Sequence, residues 1–136
     1  MQRVRGEVLL NHELLSEHNI KCVEGFAEEY ERIVRQKNNR KKIDSKVLEL
    51  LLYVSSVKTP STFCEHGNIE KPKKTNGLYS MKIKIGCNIR LLFSVEENGT
   101  ILLHTFEEIG GKSKTDYTHA IPIAEKRLAA FKGGKR

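Results

Sequence analysis

A chain of 136 residues, 38% hydrophobic and 30% charged, fits one globular domain with a modest core and excludes a wholly disordered chain. No apolar run approaches the ~20 residues of a membrane span, and the start Met-Gln-Arg-Val-Arg-Gly-Glu lacks a secretory signal's apolar stretch, so a cytoplasmic protein without a membrane partner is expected. The net charge of +7, gathered at 35–42, 71–74 and 112–136, fits a nucleic acid or an acidic protein as partner.

In chain order, Val4, Val8, Leu10, Leu14 and Leu15 give residues 1–18 a weak helical pattern, read as an extension ahead of the main domain at 19–131. Asn19 to Val23 reads as an edge strand. Val23, Phe26, Ala27, Tyr30, Ile33 and Val34 then form one apolar stripe at helical spacing. Asp44 or Ser45 is expected to cap a second helix whose buried face holds Val47, Leu50, Leu51 and Val54. The two helices form an antiparallel hairpin. Ser-Ser, Thr-Pro-Ser-Thr and Lys-Pro-Lys-Lys-Thr-Asn-Gly mark 55–75 as a long loop.

A meander follows. Tyr79, Met81, Ile83 and Ile85 alternate with Ser80, Lys82 and Lys84, and Ile89, Leu91, Phe93 and Val95 alternate with Arg90 and Ser94. Glu96-Glu97-Asn98-Gly99 signals a hairpin into Ile101–Phe106, where only His104 is polar enough to mark a face, and alternation leaves its direction open. Pro122 is expected near the start of a closing helix with Ile121, Ala124, Leu128 and Phe131 on its stripe, and 132–136 form a basic tail. These elements amount to an α+β fold: a helical hairpin on a mostly antiparallel sheet of about four strands, with a C-terminal helix.

Cys22, Cys64 and Cys87 are odd in number and lack Cys-x-x-Cys spacing, which argues against a disulfide framework or a zinc site. No phosphate-binding glycine loop, metal-ligand cluster or nucleophile motif is present, so no metal or cofactor is expected. What remains is a set of cations on alternating strands, with a tyrosine and two histidines close in sequence. Such groups suit RNA cleavage, in which cations neutralise a phosphate while a proton-transfer group assists the ribose 2′-hydroxyl.

The stretch Gly77-Leu78-Tyr79-Ser80-Met81-Lys82-Ile83-Lys84, then Ile89-Arg90-Leu91 and Ile101-Leu102-Leu103-His104-Thr105-Phe106, resembles the RelE/ParE/HigB superfamily of bacterial toxins, nearest to its phage-derived HigB-like branch. The following Gly111-Lys112-Ser113-Lys114-Thr115-Asp116-Tyr117-Thr118-His119 resembles the basic segment of RelE with its downstream tyrosine. The resemblance covers roughly the second half of the chain.

It implies a RelE-like fold and the toxin of a type II toxin–antitoxin pair, a metal-independent messenger-RNA endonuclease acting in the ribosome and bound by a cognate antitoxin. It implies catalytic roles for Lys82, Lys84, Arg90, Tyr117 and His119, and RNA contacts for Lys112, Lys114 and His104. Two positions depart from the branch. Ser80 stands in place of glutamate, and Glu107-Glu108 stand in place of a Lys-Lys pair. The second departure removes cations from the expected groove, and favours the alternative of a non-enzymatic relative, such as a ParE-like inhibitor of DNA gyrase.

Overall fold

The computed structural model describes residues 12–75, 77–108 and 113–133. Helix α1 (His12–Glu17) precedes strand β1 (Ile20–Cys22), helix α2 (Phe26–Val34) and helix α3 (Arg40–Val57). A one-turn helix α4 (Pro60–Phe63) leads into β2 (Ile69–Glu70), β3 (Tyr79–Ile83), β4 (Ile89–Glu96) and β5 (Gly99–Glu107), and α5 (Ser113–Gly133) closes the chain. The five strands form one mixed sheet in the order β1-β5-β4-β3-β2. β1 runs parallel to β5, and every other pairing is antiparallel.

The α+β class and the C-terminal helix agree with the sequence, but the strand count does not. A fifth strand, β2, occupies part of the region expected to be loop, and the end of α3 and the one-turn α4 take up another part. Two residues are too short to show alternation, which is why β2 has no signature. Helix α3 starts at Arg40, not at Asp44 or Ser45. Asp44 is instead buried at 5% exposure, where its carboxylate accepts a 2.6 Å hydrogen bond from Tyr30 Oη and another from Arg40. Burial and that carboxylate push the Tyr30 phenol far up, so the pair is a neutral donor on an anion that locks α2 to α3.

Register places Tyr79, Met81 and Ile83 opposite Phe93, Leu91 and Ile89 on one sheet face. Phe63 caps that face, with its ring centroid 5.2 Å from Tyr79 and 5.9 Å from Phe93. Helix α3 lies over the same face, where Ser55 Oγ meets Thr100 Oγ1 at 3.3 Å. The opposite face carries Ser80, Lys82, Arg90 and Leu92, and α5 covers it. Because both faces are covered, Ile101, Leu102 and Leu103 are all buried, and strict alternation disappears from β5. A register shift opposite Leu92/Phe93 absorbs the extra residue.

Pro122 lies inside α5, not at its start. The proline removes its own amide donor and crowds the preceding turn, yet the helix continues on both sides of it. The buried Ala120 and Ala124 are small enough to let α5 approach the sheet closely. Gly99 (φ +138) is fixed by an equally close approach: an added Cβ would fall 2.0 Å from the Asn19 carbonyl oxygen, which accepts the Thr100 amide where β1 meets β5. Among the described residues no helix is long and apolar enough to cross a membrane.

Candidate functional site

Lys82 and Arg90 are direct cross-strand partners of β3 and β4, so their side chains leave the same face side by side. Polar residues that alternate with an apolar set point to a solvent-facing side of a sheet, and here the structure differs. The face is roofed by α5, and Arg90 is 6% exposed.

From α5, Tyr117 enters edge-on against Phe106, with centroids 5.7 Å apart and planes at 80°. Its hydroxyl lies 2.7 Å from Ser80 Oγ and 2.7 Å from a carboxylate oxygen of Glu70. Glu70 arrives from β2, opposite Ser80. Asn68 fixes that strand by accepting the Lys82 amide on its carbonyl and donating its side-chain amide to the Lys82 carbonyl.

The result is a compact set. Lys82 Nζ is 3.4 Å from one Glu70 oxygen, and Arg90 Nη1 is 3.4 Å from the other and 3.2 Å from the Tyr117 hydroxyl. Arg90 Nη2 donates to Glu108, itself 6% exposed at the side chain. Arg90 Nε is buried without a hydrogen-bond partner among the described residues. Burial alone would raise the Glu70 carboxyl, but the Tyr117 hydroxyl, Lys82 and Arg90 outweigh it and hold the group below the usual carboxylate range. Tyr117 moves the other way: burial and the Glu70 carboxylate push its phenol up to about 12, against the opposing effects of Ser80 and Arg90. At neutral pH the set therefore contains an ionised carboxylate, a protonated phenol and two cations.

The other expected site residues lie elsewhere. Lys84 is exposed beyond the end of β3. His119 is exposed on α5, two positions from Tyr117, a spacing that turns it away from that residue's face. His104 sits opposite Leu92, with its side chain 11% exposed and its Nδ1 3.0 Å from Glu29. A carboxylate can only accept here, so the ring proton belongs on Nδ1. Arg127 clasps the same Glu29 at 2.8 and 2.9 Å and reaches the Leu103 carbonyl, tying α5 to α2 and β5. Lys112 lies outside the described residues. Lys114 falls in α5, and its side chain also lies outside them.

Glu70 and Glu108 are the members that sequence reasoning missed. Glu70 sits in the unrecognised β2. Glu108 registered only as a departure from a basic motif, and its pairing with Arg90 required the fold. Glu107 turns the other way and meets Lys37 at 2.6 Å.

Comparison with protein-family models, curated proteins and solved structures finds no match.

Proposed function

We propose that this protein is the toxin of a type II toxin–antitoxin pair with a RelE-like fold, an endoribonuclease that cuts messenger RNA in the ribosome. One observation carries the reading: Glu70, Lys82, Arg90 and Tyr117, from three separated stretches of chain, converge on one sheet face with complementary protonation states. Attack of a ribose 2′-hydroxyl on the adjacent phosphate needs a proton acceptor, cations for the phosphorane oxygens and a proton donor for the leaving 5′-oxygen. The ionised Glu70 can take the 2′-hydroxyl proton. Tyr117 keeps its proton and can deliver it to the 5′-oxygen. Lys82 and Arg90 hold the developing charge, and the unpartnered Arg90 Nε is a buried donor that a phosphate oxygen would complete. The P–O5′ bond breaks as the P–O2′ bond forms, leaving a 2′,3′-cyclic phosphate and a 5′-hydroxyl.

The ribosome and the antitoxin rest on the sequence resemblance. An antitoxin segment would neutralise the cationic surface as substrate does. The test is induced expression with transcript integrity as readout, for wild type beside Glu70→Gln and Tyr117→Phe. Growth arrest with cut messages in wild type, and intact messages in both variants, is expected. Intact messages in arrested wild-type cells would refute the nuclease.

A second reading, a non-enzymatic binder such as an inhibitor of DNA gyrase, is favoured by the enclosure of Arg90 against Glu108, which leaves that cation neutralised at rest. A supercoiling assay separates the two: loss of gyrase activity at stoichiometric protein, with RNA untouched, is the binder's signature.

A further inference from the structure

Other cations lie outside the cluster beneath α5. A group of them without an ion-pair partner among the described residues stands at the neighbouring end of the molecule, where the α2–α3 turn meets the β3–β4 hairpin. Asn39 donates to the Ile85 carbonyl at 2.6 Å and pins the hairpin to the start of α3. Lys41, Lys42, Ser45, Lys46, Glu49 and Ile85 then line one shallow concavity of about 350 Å³.

Lys41, Lys42 and Lys84 are exposed, and none has an ion-pair partner among the described residues. Lys46 has only a loose 3.4 Å contact to Glu49. The neighbours Lys37 and Arg40 are already spent, on Glu107 and on Glu31 with Asp44. The first turn of α3 thus holds Arg40, Lys41 and Lys42 and no acidic residue. Positive charge there opposes the helix dipole, a local cost in stability with no compensating ion pair for Lys41 or Lys42.

We infer that Lys41, Lys42, Lys46 and Lys84 form a track for the phosphodiester backbone of single-stranded RNA that runs on from the candidate cleavage site. Lys84 supplies the continuity. It lies two residues along from Lys82, roughly 7 Å by the rise of a strand, and its flanking residue Ile85 is part of the concavity. The chemistry of the lining selects the partner. A protein-binding surface takes its affinity from aromatic and aliphatic anchors in desolvated pockets, and this concavity offers three lysine stems against one carboxylate, Glu49, with Ser45 and one isoleucine. It also lacks an aromatic platform on which bases could stack. What it recognises is backbone charge, without sequence preference. That the nucleic acid is RNA rests on the nuclease reading; the anionic track itself does not.

The test is fluorescence anisotropy of the full chain with a labelled 2′-O-methyl RNA oligonucleotide, which cannot be cut, across a salt series. Lys41→Ala/Lys42→Ala/Lys84→Ala is expected to weaken binding by about tenfold or more at low salt and to reduce the slope of log affinity against log salt by about 2, as loss of three single-strand phosphate contacts requires. Glu65→Gln, an exposed carboxylate outside both sites, is expected to leave that slope unchanged. An unaltered slope in the triple variant would overturn the track. So would an equal loss of binding for a poly-glutamate peptide that competes as well as RNA, because the surface would then be an acidic-protein site. Loss of RNA binding in the triple variant from a protein that never cuts message would uphold the track while the nuclease reading fails.

Discussion

The cluster beneath α5 and the concavity at the head of α3 hold cations of opposite circumstance. In the cluster Lys82 and Arg90 are matched by Glu70 and Glu108, with the Arg90–Glu108 pair withdrawn from solvent and Tyr117 bonded to Arg90. At the concavity Lys41 and Lys42 are exposed and unmatched, as is Lys84, the residue before its lining Ile85. The first arrangement spends charge on precise placement of a few atoms. The second leaves charge available at long range, where it can attract a polyanion but cannot orient it. Placement and attraction are therefore assigned to different surfaces of one small domain.

The comparison breaks most sharply at the Arg90–Glu108 pair. Glu108→Ala should lower stability by about 3 kcal/mol in urea titration, because it takes the nearer of two carboxylates from a buried guanidinium and leaves only Glu70 at 3.4 Å. An Arg90→Met/Glu108→Leu double change should recover most of that loss. If the single change costs nothing, Arg90 is not enclosed as described.

Tyr117→Phe is a smaller lesion. It removes the hydroxyl from Glu70 and Ser80 and should cost about 1 kcal/mol of stability. Message cleavage should fall far more than stability does, which a transcript assay beside a melting curve would show.

Next comes His104. Burial, with the Arg127 charge, outweighs the pull of Glu29 and holds its imidazole below its ordinary value. The folded chain then prefers the neutral ring. Its contribution is complete above the unfolded value of about 6.5 and is lost as pH falls through the lower folded value. The urea midpoint should therefore drop between pH 7 and 5, and His104→Gln should flatten that drop. Glu29 and Arg127, which face the ring, remain charged throughout this window.

The smallest effect has the opposite sign. Lys41→Ala/Lys42→Ala should leave stability unchanged or raise it by about 0.3–1 kcal/mol, by relieving the first turn of α3, while RNA affinity declines.

Much of this layout can be read in residue order. The stripe Phe26, Tyr30, Val34 and the strict alternation of 79–83 and 89–95 carry the periods of their elements, and Lys82 beside Arg90 follows from the hairpin between them. Other features have no local signal. β2 is two residues long. Asp44 looks like a cap until Tyr30 claims it. β5 loses its alternation because helices cover both faces of the sheet. The cluster was half visible for the same reason: its cations lie on periodic strands, whereas its carboxylates lie on a two-residue strand and just past the end of β5. The concavity could not be seen at all, since it exists only where Asn39 bonds to Ile85.

The parallel pairing of β1 with β5 sets a timetable for synthesis. Ile20 lies opposite Thr100 and Cys22 opposite Leu102, so the first of the described strands waits for the last. At the ~5–20 residues per second of translation, such distant pairing is completed late. Tyr117 is made later still. For a protein proposed to cut message inside ribosomes, the ribosome producing it has translated past Tyr117 before a competent copy can exist.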